Sequence, residues 1–343
     1  MSLDTTLQSL WYGKSRVAWL LLPLSWLYAV VISIRKTLYR VGILRSVKVS
    51  RPVIVVGNIS VGGTGKTPLV IWLAKKLEEK GYKVAVIARG YRGKATVWPQ
   101  LVTSESDPHL VGDEPVLIAQ QANCIVIAGP DRVASAKLAI ESGADIVISD
   151  DGLQHYRLRR DCEIAVVDGS RQLGNGHLLP AGPLREAGSR LKEVDIVIVN
   201  QRDANISDSQ SSVRADITFR IALRNLRSIK TRDVRPLESL RDQQVHVVTG
   251  IGNPESFVNA LSAQGLKVSA RILRDHAHIQ QHDLQFGDQL PVLMTAKDAV
   301  KCRKLYLDDR YWAVDADAML NDIAADKLIN CIEAPIKNFR SES

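Results

Sequence analysis

Six short runs of aliphatic, β-branched residues constrain this chain most: VIVVG (53–57), VAVIA (84–88), CIVIA (124–128), DIVIS (145–149), EIAVV (163–167) and DIVIV (195–199). They are apolar at consecutive positions, so both strand faces must be buried, which requires a sheet covered by helices on both sides. Amphipathic stretches such as 68–80 and 132–142 fill the intervals and read as crossover helices. The pattern predicts an α/β fold on a doubly wound, mostly parallel sheet, with ligands collecting at the carboxyl ends of the strands. A length of 343 residues with 45% hydrophobic and 24% charged positions gives enough core for one large or two medium domains and excludes a disordered chain.

The first run leads into Gly57-Asn58-Ile59-Ser60-Val61-Gly62-Gly63-Thr64-Gly65-Lys66-Thr67, and a helical pattern follows. Against the phosphate-loop template G-x-x-x-x-G-K-[ST], Gly65, Lys66 and Thr67 match, and Ser60 stands where the first glycine belongs. Gly62, Gly63 and Gly65, with Thr64 among them, still let backbone N–H groups converge on phosphate oxygens at a helix N-terminus. Lys66 would place a point charge on the β- and γ-phosphates, and Thr67 a hydroxyl ligand on Mg²⁺. The run IVIS closes in Asp150-Asp151, an apolar strand ending in acids that could organise the same cation. A nucleoside triphosphate with Mg²⁺ is therefore expected, in a P-loop NTPase-like sheet; the choice of ATP rests on the resemblance given below.

A phosphoryl transferase also needs an acceptor for its substrate's hydroxyl proton. Gly112-Asp113-Glu114-Pro115 supplies two carboxylates in a turn, and Asp113 could serve alone or through a histidine. Capping the helix that begins at Pro115 is the other role open to it. Arg89, Arg132 and Arg185 follow other strand runs and suit anionic ligands. GNGHLLPAGPLRE (174–186) is dense in Gly and Pro yet not hydrophilic, so it reads as a shaped substrate loop.

Of the formal net charge of +8, the first 50 residues contribute +6, from seven basic residues against Asp4. They surround Val17–Ile34, 18 residues without a charge, so membrane contact is expected in preference to nucleic acid. Trp11, Tyr12, Trp19, Trp26 and Tyr28 supply interfacial aromatics, and Pro23 interrupts the run. Spanning the bilayer and lying in its interface are both open. The four cysteines are far apart, which argues against a zinc knuckle and fits a reducing compartment.

VGNISVGGTGKTP (56–68), RGYRGK (89–94), GDEP (112–115), ISDDGLQH (148–155), the 174–186 loop, GIGNPESF (250–257) and TAKDAVK (295–301), in this order, resemble the tetraacyldisaccharide 4'-kinase family. The resemblance implies transfer of the ATP γ-phosphoryl group to the 4'-hydroxyl of an acylated glucosamine disaccharide 1-phosphate, forming lipid IVA for lipid A at the cytoplasmic face of a bacterial inner membrane. It implies that Lys66 and Thr67 serve as the P-loop pair, Asp150 and Asp151 as the metal-organising acids, and Asp113 as the acid that helps activate the acceptor. Arg89, Tyr91, Arg132, His155, Arg185 and Glu186 match motif positions facing nucleotide or sugar. The family's later Asp-His-His motif reads Asp275-His276-Ala277-His278 here, which makes His276 the first candidate for a base paired with Asp113 and His278 the second.

The expected organisation is an N-terminal membrane-associated helix (1–48), a kinase domain (49–215), a strand linker (216–234) and a smaller α/β domain (235–335). In the linker, strands are expected over 216–223 and 228–234; in the smaller domain, over 245–250, 267–273, 292–296 and 311–317. Action by His276 or Lys297 would require this last unit to close over the first and exclude water. Two rivals are a membrane-attached switch NTPase and an ATP-dependent ligase. The first is weakened because TAKDAVK lacks the asparagine of a guanine-reading N-K-x-D element. No obligate protein partner is evident.

Overall fold

The computed structural model describes residues 10–13, 16–201, 213–274 and 277–341. Thirteen strands among them form one sheet in the order β11-β10-β12-β13-β8-β7-β6-β1-β5-β2-β4-β3, with β9 paired to β8. The six apolar runs become β1 (Val53–Gly57), β2 (Val84–Ala88), β4 (Ile125–Ala128), β5 (Ile146–Asp150), β6 (Cys162–Asp168) and β7 (Ile196–Asn200). All their mutual pairings are parallel. The short edge strand β3 (Gln100–Val102), antiparallel to β4, has no apolar run to announce it.

Burial on both faces is visible residue by residue. Ile54 and Val56 of β1 enter one core, and Val53 and Val55 enter the other, as the two-residue period of a strand requires. The helix α1 (Leu22–Arg40) precedes β1. After β1, α2 (Lys66–Glu79) buries Leu69, Val70, Leu73, Ala74 and Leu77, a stripe at helical spacing. Then follow α3 (Pro108–Val111), α4 (Asp113–Gln121) and α5 (Arg132–Glu141). In the sheet β1 lies between β5 and β6, while the chain leaves it through α2 for β2 beyond β5, and the glycine-rich segment lies at its carboxyl end, where ligands gather in such sheets.

The two linker strands expected over 216–223 and 228–234 are instead one 12-residue strand, β8 (Ile217–Ser228), followed by a turn and the short β9 (Val234–Pro236). β8 pairs in parallel with β7 through Ile217–Phe219 and antiparallel with β13 (Tyr311–Met319) through the rest of its length. It thereby carries the sheet into β10 (Gln244–Thr249), β11 (Lys267–Ile272) and β12 (Val292–Thr295), with α6 (Pro254–Ala263) between β10 and β11 and α7 (Ala296–Lys301) between β12 and β13. The last helix, α8 (Asp322–Ser341), returns to pack Leu328, Ile329, Ile332 and Ile336 into the core beneath β6 and β8.

Candidate active site

A cleft of about 1620 Å³ opens between the glycine-rich segment, the inner side of α1 and the start of α6. Its floor is the phosphate loop. Gly65 caps α2 at φ 91°, and a Cβ there would lie 2.7 Å from Asn200 Nδ2 and 2.9 Å from Ile221 Cδ1. Backbone conformation and space both demand glycine at that point. Ser60, by contrast, forms an extended bridge with Leu184, a conformation open to any residue, so the template's first glycine is not needed there. Gly62, Gly63, Thr64, Lys66 and Thr67 all line the cleft.

The 174–186 loop is fastened to this segment. Val61 donates its N–H to Pro183 O at 2.8 Å and Arg185 donates its N–H to Ile59 O at 2.7 Å, placing the Arg185 guanidinium 2.9 Å from Asp151. Lys66 Nζ lies 3.4 Å from the same carboxylate. Burial acts to raise the Asp151 pKa, but Lys66 and Arg185 outweigh it and hold the carboxyl well below its usual range. Burial pushes Asp150 up to about 7; Glu114 and Asp151 add like charge, and Lys66 opposes them.

Asp150 Oδ1, Thr64 Oγ1 and Asn200 Oδ1 are buried with no hydrogen-bond partner among the described residues. Such groups cost free energy unless something satisfies them. Asp150 and Thr64 line the cleft with Thr67, so a divalent cation and phosphate oxygens would satisfy these two.

The remaining predicted residues differ in placement. Arg89, Tyr91 and His155 line the cleft. Burial, reinforced by Arg132 and Arg89, lowers the His155 pKa to about 4, so its imidazole is neutral at pH 7. Arg132 also reaches the cleft, but it is buried and donates to Gly129 O at 3.0 Å and Asp150 O at 2.8 Å, which braces the end of β5. Glu186 lines the cleft, where it accepts from Gln154 Nε2 at 2.6 Å and from the Tyr156 hydroxyl and lies 3.4 Å from Arg190 Nε, so it braces that wall.

Gly112, with φ 92°, occupies the N-cap of α4, and Asp113 is the first helical residue, buried, accepting the Glu114 N–H at 3.0 Å. Glu114 lines the cleft and is paired with Lys297 at 2.7 Å. His276 and Asp275 lie outside the described residues. His278 stacks on His109 with ring centroids 4.7 Å apart.

Sequence reasoning missed Asn200, which donates to Thr64 O at 3.2 Å and props the loop, and Asp168, which accepts the Ser170 and Arg171 N–H groups beside it. Both end an apolar strand in a polar residue, the same signal that marked Asp150. Gln154 and Tyr156 carried no comparable signal.

One helix among the described residues, Ala18–Arg40, is long and apolar enough to cross a membrane, with mean hydropathy 1.6. Its inner side, however, is bonded to the site loop. Ser25 donates to Leu178 O at 2.8 Å and accepts the Ala181 N–H at 3.0 Å, Tyr28 donates to Arg185 O at 3.1 Å, and Lys36 pairs with Glu193. Leu20, Leu24, Leu27, Val31 and Ile34 are exposed on the other side.

Comparison with known proteins agrees with this geometry. The family model for tetraacyldisaccharide-1-P 4'-kinase matches residues 17–333. The tetraacyldisaccharide 4'-kinase of Nitrosococcus oceani is 47% identical over 311 residues, 90% of this chain and 89% of that protein. That of Actinobacillus succinogenes is 42% identical, covering 94% of this chain and 97% of the relative. A crystal structure of LpxK from Aquifex aeolicus in complex with ATP has a TM-score of 0.78 at 29% identity, covering 93% of this chain and 99% of the other. A glycine-rich loop, its lysine and two strand-end acids, set in a match that runs almost the length of the chain, place the protein in the tetraacyldisaccharide-1-P 4'-kinase family.

Proposed function

We propose that this cleft transfers the γ-phosphoryl group of ATP to the 4'-hydroxyl of a tetraacylated glucosamine disaccharide 1-phosphate, the lipid IVA-forming step of lipid A synthesis. The carrying observation is the phosphate loop bound to the 174–186 loop and through it to α1, so that the nucleotide floor, the acceptor wall and an apolar helix are one fastened unit. Backbone N–H groups of Gly62–Gly65 and the Lys66 ammonium hold the β- and γ-phosphates. Thr67, Asp150 and Asp151 are the residues that would hold Mg²⁺, which supplies charge neutralisation at the transferring phosphoryl group. Lys66 and Arg185 keep Asp151 anionic for that task.

Asp113 is buried behind the cleft wall, so in this reading it acts on the acceptor hydroxyl through an imidazole of the 275–278 segment, His276 first. The carboxylate orients the ring and stabilises the imidazolium formed as the hydroxyl loses its proton. Arg89, Tyr91 and neutral His155 face the sugar phosphate. Arg132 and Glu186 serve the site by bracing β5 and the loop.

The chain is read as an N-terminal helix (1–48), a kinase body (49–215), a strand linker (216–234) and a smaller sheet unit (235–335). The bonds along Ser25, Tyr28 and Lys36 favour α1 lying in the interface over spanning. A spanning helix would have to leave the loop it holds, whereas an interfacial one buries only its outer stripe. Each outer Leu, Val or Ile gains up to about 1.5–3 kcal/mol from full burial. Arg35, Arg40, Arg45 and Lys48 beside it suit the anionic cytoplasmic leaflet. The test is Lys66→Ala, assayed with radiolabelled ATP and the acylated disaccharide 1-phosphate in mixed micelles. Transfer should fall by at least about 100-fold; label in the lipid at the unsubstituted rate would overturn the assignment.

A further inference from the structure

The two acids of GDEP each meet a lysine from the far part of the sheet. Lys297 Nζ is 2.7 Å from Glu114, and Lys301 Nζ is 3.8 Å from Asp113 Oδ2. Residues 297 and 301 are one turn apart on α7, so they share the face turned toward α4. The Lys301 and Asp113 side chains are only 8% and 9% exposed. A lysine that deeply placed costs several kcal/mol unless carboxylates compensate it.

Asp298, fully buried, provides that compensation. Its Oδ1 accepts from Lys301 at 2.9 Å, while Oδ2 accepts from Thr249 Oγ1 at 3.0 Å, Gly250 N–H at 3.1 Å and Thr295 Oγ1 at 2.8 Å. Asp298 is thus held rigidly to the ends of β10 and β12. It would balance the lysine charge alone, so architecture by itself does not require Lys301 to reach Asp113 as well.

We propose that Lys301 is a positioning residue for phosphoryl transfer: anchored by Asp298 in the far part of the sheet, it fixes the Asp113 carboxylate in the rotamer and charge state that the acceptor-activating imidazole needs. This rests on the reading of Asp113 given above. Asp113 Oδ1 accepts the Glu114 N–H of its own helix and Oδ2 faces the Lys301 ammonium of α7 at 3.8 Å, so both oxygens are oriented. An ionised carboxylate has about four acceptor sites, so both contacts coexist with an imidazole N–H. The His278 ring, whose pKa is lowered by burial and by His109, Lys94 and Lys301, places the 277–278 segment within the same electrostatic neighbourhood.

The experiment uses the full chain in lipid–detergent micelles and four forms: Lys301→Met, Lys301→Arg, Asp113→Asn and the double variant Lys301→Met/Asp113→Asn. Lys301→Met should lower kcat about 10- to 100-fold with the KM for ATP changed less than about threefold, and Lys301→Arg should recover most of that loss. In the Asp113→Asn background, Lys301→Met should cause almost no further loss, because the two act as one unit. Wild-type kcat in Lys301→Met beside a crippled Asp113→Asn overturns this proposal alone. So does a Lys301→Met loss that multiplies with that of Asp113→Asn, or that Lys301→Arg fails to rescue. Wild-type kcat in Asp113→Asn overturns the base assignment and this proposal with it.

Discussion

Individual side chains in the site divide by what their surroundings permit. In the proposed mechanism Asp113 and Lys66 belong to different steps, so their substitutions should separate. Asp113→Asn should lower kcat about 10²- to 10⁴-fold while leaving ATP affinity, read by a fluorescent nucleotide analogue, within about threefold. Equal loss of nucleotide affinity would contradict its place on the acceptor side. His155 gives a pH signature. Its folded pKa, about 4, lies below the ordinary histidine value of 6.5. The unfolded chain therefore binds more protons between those two pH values. The stability His155 contributes is complete above about pH 6.5 and is lost as pH falls toward 4. NMR of the imidazole should show no protonation until near pH 4, and a His155→Gln variant should flatten the acid limb of stability against pH. A ring titrating near 6.5 would contradict the half-buried, arginine-flanked setting.

Among the elements, α1 departs most from what its composition implies. Eighteen uncharged residues look like a span, yet Ser25 and Tyr28, small or aromatic and uncharged, bond to the site loop. Hydropathy sums cannot register two hydroxyls whose partners are more than 150 positions away in sequence. Deleting the segment would therefore damage the site as well as the proposed anchor. Leu24→Glu, Leu27→Glu and Val31→Glu together change only the exposed stripe. The triple variant should move from membrane to soluble fraction in cell extracts while keeping kcat in detergent micelles within about threefold. Retention on the membrane would contradict anchoring by that stripe.

The phosphate loop was legible in the sequence because backbone conformation itself demands Gly65, and the six buried strands because burial on both faces leaves no polar position. β8 was not: a strand half parallel and half antiparallel carries no local mark of its change of partner. Lys301 was hidden for a similar reason, since its meaning depends on α7 folding back onto α4.

Taken as a whole, the molecule is joined twice, by β8 through the sheet and by α8 through the core. Fully buried Leu328 of α8 sits beneath strands formed more than 100 residues earlier. Leu328→Ala should cost about 2–5 kcal/mol. Its denaturant unfolding, followed by tryptophan fluorescence and by far-UV circular dichroism, should remain one coincident transition. Two separated transitions would show that the far part of the sheet folds independently. These connections hold Lys297 and Lys301 against Glu114 and Asp113, and the 174–186 loop ties α1 to the nucleotide floor, so the residues of the proposed site share one frame. The most direct measurement is to incubate the purified full chain with γ-labelled ATP, Mg²⁺ and tetraacylated disaccharide 1-phosphate, then resolve the lipids by chromatography. The account predicts one label on the disaccharide, at the 4' position, absent with Lys66→Ala. Label appearing only as inorganic phosphate, with the lipid unmarked, would contradict it.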